Sequence, residues 1–245
     1  MESSLVIIPT YNEKENIQEI IQKVFTISGK IHILVVDDNS PDGTADIVTH
    51  LRETEYPERL HLIKRAGKLG LGTAYIEGFR FAIQHGYNYI FEMDADFSHN
   101  PLDLPKLFLA CDERNAGLAV GSRYKDGVNV INWPMSRVLM SFFASIYVRV
   151  ITGLPLHDAT AGFVCYRREL LESLNLDKIK YIGYAFQIEM KFAAWRKGFL
   201  IEEVPIVFTD RTRGTSKMSY KIFKEAIFGV MEMKIRSFFR HPSKY

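Results

Sequence analysis

The sequence predicts an α/β fold in which a mostly parallel β-sheet is covered by helices on both faces. In the first half of the chain, short apolar runs alternate with segments whose apolar residues recur at helical spacing. This alternation is typical of parallel strands that are buried on both sides. Polar clusters follow three of the runs, at residues 10–13, 37–40 and 94–99. Because ligands bind beyond the carboxyl ends of parallel strands, we expect these clusters to line one crevice.

The elements of the first half are predicted to follow one another as strand and helix. Apolar runs predict strands, in order, at residues 5–8, 33–36, 60–63, 89–93 and 118–120. Apolar stripes predict helices after the first four strands, at residues 17–24, 47–51, 79–83 and 104–108. Asn12 with Glu15 gives the first helix a capping-box-like start, and Gly86 ends the third. Asn100 followed by Pro101 begins the fourth helix.

The second half is less regular. Its predicted elements are helices at residues 133–150 and 184–197, strands at 162–166 and 200–208, a basic loop at 210–217 and a final amphipathic helix over about 219–240. Gly198 ends the second of these helices. Because the chain contains no internal repeat, low-complexity tract or clear linker, we expect a single domain over residues 1–245.

Composition excludes several classes of protein. The chain is 47% hydrophobic and 24% charged, which is ordinary for a globular protein, and its net charge of +2 gives no reason to expect nucleic acid as a partner. Cys111 and Cys165 lie in apolar patterns and are expected to be buried, reduced thiols. No signal peptide is visible, and the longest apolar run, residues 138–148, ends at Arg149. We therefore expect no transmembrane domain and a cytoplasmic location.

The cluster Asp94-Ala95-Asp96 follows the fourth predicted strand. In an extended segment, residues two apart project to the same side, so both carboxylates can face one point. Hard oxygen ligands suit Mg²⁺ or Mn²⁺, and a bound cation would offset the repulsion between the two acids. The alternative is a solvated acidic turn in which Asn100 caps the next helix.

Two further segments have a structural as well as a functional interpretation. Asp37 and Asp38 end the second strand, where a carboxylate can accept hydrogen bonds from a base or a ribose. The structural interpretation is an ordinary turn, because residues 41–43 are of types that strongly favour turns. The glycine-rich residues 65–72 precede a helix and could favour an anion. Their spacing matches neither a Walker A loop nor a dinucleotide fingerprint, so an ordinary strand-to-helix turn is favoured there.

Basic residues occur in two places in the second half. The loop Arg211-Thr-Arg-Gly-Thr-Ser-Lys217 suits a polyphosphate, although a solvated basic loop fits it equally well. Arg137 and Ser141 are four residues apart on a predicted helix that is otherwise very apolar. Such a helix could lie against lipid while holding a phosphate, or it could be a core helix with one snorkelling arginine.

Seven motifs occur in order along the chain: "IIPTYNEKENI", "VVDDNSPDGT", "GLGTAYIEGF", "MDADFSHNP", "GSRY", "DATAGFVCYRREL" and "RTRGTSKMS". Together they resemble the family 2 glycosyltransferases and, within them, the polyprenol-phosphate (dolichol-phosphate) mannose synthases. The resemblance covers roughly residues 6–219. It implies a GT-A (Rossmann-like) fold, GDP-mannose as donor, Mg²⁺ or Mn²⁺ as cofactor, inversion at the anomeric carbon and a polyprenyl (dolichyl) monophosphate as acceptor.

The resemblance also implies roles for particular residues. The nucleotide sugar would be bound by Pro9, Tyr11, Glu13, Val36, Asp38, Asp94, Ala95, Asp96, Arg211 and Lys217. The metal would be held by Asp94 and Asp96, with Ser98 at a position where relatives often have glutamine. The residues implied to act in catalysis are Asp96, Arg123, Arg211 and Lys217, and those implied to bind the acceptor phosphate are Arg123, Arg137 and Ser141. Relatives often continue that serine with Arg-Gly, so Phe142 and Phe143 predict a different edge to the lipid site.

A lipid acceptor predicts contact with a membrane surface, through the basic, amphipathic final helix or through a membrane-anchoring partner. The acceptor phosphate is already an anion, so positioning matters more than deprotonation, and Asp158 is the residue to consider if a general base exists. The alternatives are a transferase that uses UDP-glucose or another UDP-sugar, and a non-catalytic subunit that binds nucleotide sugars. A nucleotidyltransferase is disfavoured by the ordered motifs.

Overall fold

The computed structural model describes residues 1–211 and 220–239. In these ranges the strands are β1 (Ser4–Thr10), β2 (Ile31–Asp37), β3 (Leu60–Lys64), β4 (Tyr89–Glu92), β5 (Leu118–Ser122), β6 (Val130–Ile131), β7 (Val164–Arg167), β8 (Ile201–Pro205) and β9 (Phe208–Thr209). The helices are α1 (Ile17–Phe25), α2 (Thr44–Thr54), α3 (Leu71–Gln84), α4 (Leu104–Asp112), α5 (Met135–Thr152), α6 (Arg168–Ser173), α7 (Tyr184–Arg196) and α8 (Tyr220–Phe239). Short 3₁₀ turns lie at Pro101–Asp103 and Leu176–Lys178.

The main sheet has seven strands in the order β3-β2-β1-β4-β7-β5-β8. Strands β1 to β4 run parallel, β5 pairs with β8 in parallel, and β7 is antiparallel to both of its neighbours. Strands β6 and β9 form a separate parallel pair. The prediction of a mostly parallel sheet is therefore confirmed.

The two faces of the sheet form two cores. In β1, Leu5 and Ile7 pack with Phe79 of α3, whereas Val6 and Ile8 pack with helices of the opposite face. The first core also receives α5, α6, α7 and α8, and the second receives α1, α2 and α4. Because residues alternate between faces along a strand, continuous apolar runs require helices on both sides.

Two local predictions were wrong. Asn12 does not cap α1, which begins at Ile17 after Asn16. Asn12 instead lies in the polar turn after β1, with a φ of 57°. Its N–H donates to Ser40 Oγ, so this turn joins the loop after β1 to the loop after β2. The run predicted as one strand at 200–208 divides into β8 and β9, which belong to different sheets. The Asn100 cap is confirmed, since its Oδ1 accepts from the Leu102 N–H at 3.1 Å.

One helix among the described residues is long and apolar enough, by length and composition alone, to cross a membrane. Helix α5 has a mean hydropathy of 1.3 over 18 residues, and 22% of it is buried. It carries Arg137 and Arg149, and it continues to Thr152 beyond the apolar run in the sequence. Helices buried in protein cores reach the same hydropathy, but α5 is mostly exposed.

Candidate active site

The carboxyl ends of β1, β2 and β4 lie at one edge of the sheet because these parallel strands are neighbours. Thr10 pairs with Asp37 in register, and its hydroxyl donates to Asp37 Oδ2 at 2.8 Å. Asp37 also accepts from the Ser40 N–H at 2.9 Å and the Ser40 hydroxyl at 2.6 Å. Through the Asn12–Ser40 bond, the loop after β1 is therefore fixed to the loop after β2.

Asp38 is buried and paired with Arg65, whose Nε donates to Asp38 Oδ1 at 2.6 Å. The same guanidinium donates to the Thr73 hydroxyl at 2.7 Å and to the Gly70 carbonyl at 3.1 Å. The glycine-rich segment at residues 65–72 thus orients the carboxylate at the end of β2. The sequence favours an ordinary turn for this segment; the signal of its further role is an arginine that directly follows β3, the strand next to β2.

The other residues predicted to contact the nucleoside differ in accessibility. Tyr11 is half-buried, and Lys68 Nζ lies 4.5 Å from the centre of its ring. Pro9 and Glu13 are also half-buried at the same edge, and the Glu13 carboxylate accepts from Asn16 Nδ2 at 3.2 Å. Val36 has no exposed surface and packs in the first core. The structure therefore does not place Val36 on the crevice surface.

Asp94, Ala95 and Asp96 follow β4 immediately. The Asp94 side chain is 40% exposed, whereas Asp96 and Ala95 are buried. The Ser98 N–H donates to Asp96 Oδ1 at 3.1 Å, which fixes that carboxylate. Among the described residues, no group of three or more His, Cys, Asp or Glu side chains is arranged to hold a metal ion. A cation here would therefore rest on the Asp94–Asp96 pair, with ligands from a substrate or water.

The electrostatics of the pair fit such a cation. Desolvation by the crevice walls, and then repulsion by Asp96, raise the pKa of Asp94 to about 8. Burial would also raise the pKa of Asp96, but hydrogen bonds from Ser98 and the charge of Arg211 outweigh it and lower that pKa. The site thus combines one ionised carboxylate with a second that is reachable and would ionise beside a divalent ion.

Arg211 lies directly against this pair. Its Nη2 is 2.9 Å from Asp96 Oδ2, so Arg211, two residues after β9, contacts the acidic cluster after β4. Lys217, the other cation assigned to the diphosphate, lies outside the described residues.

His99 supports the loop that carries the acids. It is buried and stacks on Phe163, and its Nδ1 accepts from the Asp94 N–H at 3.3 Å. Burial lowers the pKa of His99 to about 4, so the ring is neutral near pH 7. His99 therefore orients the Asp94 backbone.

Arg123 is held in a buried network. Its Nε and Nη2 donate to the two oxygens of Asp158 at 2.7 and 2.6 Å, and Nη2 also donates to the Thr160 hydroxyl at 2.8 Å. Glu203 continues the network by accepting from the Asp158 N–H at 2.9 Å. Asp158 is fully buried; burial would raise its pKa, but Arg123 outweighs this and lowers it. A carboxylate in this position does not suit a general base, so the structure argues against that role for Asp158.

Arg137 is the second predicted acceptor arginine, and its surroundings are more open. Its Nη1 donates to both oxygens of Asp210 at 2.9 Å, and its guanidinium lies 4.1 Å from the Trp133 ring centre. The ring of Trp133 also lies 5.4 Å from the Arg123 guanidinium, so one indole contacts both predicted acceptor arginines. Ser141 is half-buried one turn farther along α5.

A buried hydrogen-bond network behind the site was not predicted from the sequence. Lys191 of α7 is fully buried, and its Nζ donates to the Ala161 carbonyl at 2.7 Å and to Gln187 Oε1 at 3.1 Å. Gln187 Nε2 donates in turn to Glu92 at 2.6 Å. This network connects the end of β4 to the loop that carries Asp158 and stabilises both. A lysine and a glutamine four residues apart in an apolar helix are the only sequence signal.

A family model, Glycosyl transferase family 2, matches residues 5–174. The chain is 47% identical over 233 residues to polyprenol monophosphomannose synthase of Mycolicibacterium smegmatis, covering 95% of this chain and 87% of the relative. It is 45% identical over 226 residues to undecaprenyl-phosphate mannosyltransferase of Micrococcus luteus, covering 92% and 91%.

A solved structure shares the fold. Glucosyl-3-phosphoglycerate synthase from Mycobacterium tuberculosis, in complex with Mn²⁺, UDP-glucose and phosphoglyceric acid, matches with a TM-score of 0.68 at 18% identity. The match covers 95% of this chain and 80% of that one. The predicted GT-A-like fold is therefore confirmed.

Proposed function

Since the chain belongs to glycosyl transferase family 2, we propose that it transfers mannose from GDP-mannose to a polyprenyl (dolichyl) monophosphate, giving polyprenyl-phosphate mannose. The observation that carries this proposal is the meeting of an acidic pair and basic side chains at one crevice. Arg211 contacts Asp96, and the next residue back, Asp210, contacts Arg137. The site can therefore hold a diphosphate and a monophosphate side by side.

In the proposed reaction, the bond between the sugar C1 and the donor diphosphate breaks, and a bond forms between C1 and an oxygen of the acceptor phosphate. GDP leaves with the electron pair of the broken bond. Asp94 and Asp96 would hold a divalent cation, which supplies positive charge for the departing diphosphate. Arg211 would contribute to the same stabilisation from the protein side.

The acceptor phosphate is anionic near neutral pH, so the reaction needs orientation more than proton removal. Arg137, with Ser141 on the same helix, is suited to orient it, because a guanidinium on an aromatic ring has a fixed plane. Asp158 is sealed against Arg123, so the proposed reaction does not use it as a base.

The acceptor requires access to lipid. Helix α5 exposes Met135, Leu139, Met140, Phe143 and Val150, and α8 exposes Phe228, Met231, Ile235, Phe238 and Phe239. The two helices are joined where the Tyr147 hydroxyl donates to the Ile227 carbonyl at 2.9 Å. We propose that they rest on the cytosolic face of a membrane, with the protein peripheral or held there by a membrane-anchoring partner.

The donor and acceptor are tested together. Purified protein is offered radiolabelled GDP-mannose, UDP-glucose or UDP-GlcNAc, each with a polyprenyl phosphate and with Mg²⁺ or Mn²⁺. Lipid-soluble label is expected from GDP-mannose alone. Lipid-soluble label from a UDP-sugar instead would show that the donor is that UDP-sugar and not GDP-mannose. Binding of nucleotide sugars without transfer would favour a non-catalytic subunit.

Membrane contact is tested by flotation with anionic liposomes. Binding should weaken with added salt, because the basic residues act through screened Coulomb attraction. Phe143→Ser with Phe238→Ser should reduce binding, whereas Leu109→Ser, at an exposed leucine on α4, should not. If both variants bind liposomes equally well, α5 and α8 do not form the membrane contact.

A further inference from the structure

Two adjacent residues at the end of β9 hold opposite sides of the site. Asp210 is bonded to Arg137, and Arg211 is bonded to Asp96. Their backbone is anchored independently of these side chains. The Asp210 N–H donates to the Ile131 carbonyl at 3.0 Å, and the Thr209 N–H donates to the Ser98 carbonyl at 3.3 Å. The Asp210 carboxylate adds one more bond to the segment, because its Oδ1 accepts from the Arg211 N–H at 3.1 Å, and an asparagine oxygen can keep that bond.

The carboxylate faces Arg137 as an anionic ligand would. Both of its oxygens lie 2.9 Å from Arg137 Nη1, and the indole of Trp133 fixes the guanidinium at 4.1 Å. A phosphate presents oxygens to arginine in a similar way, but with more negative charge near neutral pH. Asp210 and an acceptor phosphate therefore compete for the same cation.

The pair is open to this competition. The side chains of Arg137 and Asp210 are 27% and 25% exposed, whereas Asp158, which holds Arg123, has no exposed side chain. Exposed ion pairs are weak because water screens them, and buried ones are costly to break. Of the two arginines, Arg137 is the one that an incoming ligand can take from its partner.

We propose that Asp210 is a built-in competitor of the acceptor: it occupies Arg137 until the acceptor phosphate displaces it, and it thereby lowers the affinity for that ligand. This inference rests on the proposed function. A phosphate and a carboxylate must each displace the same partner from Arg137, so Asp210 lowers the affinity for both by the same factor. A prenyl phosphate can displace Asp210, since its second charge makes the exchange favourable.

The test measures how tightly Asp210→Asn binds a water-soluble, short-chain prenyl phosphate. Binding is detected by the fluorescence of Trp133 in a Trp195→Phe background. The substitution removes the charge but keeps an oxygen that can accept from the Arg211 N–H, which bonds Oδ1 at 3.1 Å. We expect the variant to bind the prenyl phosphate about fivefold more tightly, the scale of an exposed ion pair. We expect a matching prenyl carboxylate to gain by about the same factor, because both ligands must displace the same partner.

Asp177→Asn is the matched control, since Asp177 forms another exposed pair with an arginine, Arg80, away from the crevice. It should bind both ligands as the wild type does. Asp210→Glu keeps the charge and should retain the wild-type affinity for the prenyl phosphate, which gives a second comparison if Asp210→Asn does not fold. Unchanged or weaker binding by folded Asp210→Asn would overturn the proposal, because a residue that only positions Arg137 predicts weaker binding.

Failure of the proposed function is separately visible. If the wild type transfers no mannose to a polyprenyl phosphate, the function fails, whatever the binding comparison shows. If the wild type transfers mannose and Asp210→Asn does not bind the prenyl phosphate more tightly, only the role of Asp210 fails.

Discussion

The proposed donor side and the proposed acceptor side of the crevice differ in the charges that each has to compensate. The donor side, at the ends of β1, β2 and β4, gathers carboxylates, including Asp94 and Asp96 two residues apart. The acceptor side, at the end of β5 and on α5, gathers arginines. Each arginine there is paired with an aspartate distant in sequence, Arg123 with Asp158 and Arg137 with Asp210.

The difference shows which charges the protein compensates by itself. Arg123 is neutralised in a sealed network, so we assign it mainly a structural role. Desolvation and the charge of Asp96 raise the pKa of Asp94 to about 8, and the charge of Arg211 offsets this only in part. The donor side is thus prepared for a cation, and the acceptor side exposes one arginine whose partner can be exchanged.

The largest expected effect is on stability, at the sealed pair. Asp158→Ala should lower the free energy of unfolding by about 3–5 kcal/mol, because it leaves Arg123 charged and buried. Urea unfolding measures this value, and Asp210→Ala at the open pair is the control, with an expected loss below about 1 kcal/mol. Equal losses at the two pairs would contradict the distinction between them.

The next effect is on turnover, at the donor side. Asp96→Asn should reduce kcat for mannose transfer by about 10²–10³-fold, the scale for removing one electrostatic contribution to the transition state. Circular dichroism should show an intact fold, and Asp126→Asn on an exposed turn should leave kcat unchanged. Full activity in Asp96→Asn, or in the wild type with excess EDTA, would show that the acidic pair holds no required metal.

A smaller effect is the pH dependence of metal affinity. Because Asp94 is protonated below its pKa of about 8, a cation that binds there must release a proton. The affinity for Mn²⁺ should therefore rise about tenfold per pH unit as pH increases from about 6 to 8, and level off above 8. Titration followed by the free Mn²⁺ signal in electron paramagnetic resonance measures it. Asp94→Asn should bind more weakly and lose the slope; a wild-type affinity that is flat or falls with pH would refute the role of Asp94.

The smallest effect on stability is expected at Arg137. Arg137→Ala should change the free energy of unfolding by less than about 1 kcal/mol, because the pair is partly exposed. It should raise the KM for polyprenyl phosphate and leave the affinity for GDP nearly unchanged. Lost GDP affinity with normal acceptor kinetics would place Arg137 on the donor side instead.

Much of the donor side could be predicted from the sequence because it is local. Apolar runs fix β1, β2 and β4, and the residues that follow each run must lie at the carboxyl edge of the sheet. The resemblance implies Val36 in the nucleotide site, but its side chain is fully buried, and alternation along a strand does not reveal which residue near the end of β2 keeps an exposed surface. The prediction also missed Arg65, because the pairing of β2 with β3, which brings Arg65 to Asp38, is decided only in the folded protein.

The sequence by itself determined the α/β class, the family motifs and the acidic pair, because these depend on periodicity and on residues close together in the chain. Only the tertiary structure decided how the cations are used. Arg123 and Asp158 are 35 residues apart, and Arg137 and Asp210 are 73 apart. Whether an arginine is sealed or open depends on which distant segment folds against it, and burial then decides whether its charge is committed to the fold or can be offered to a substrate.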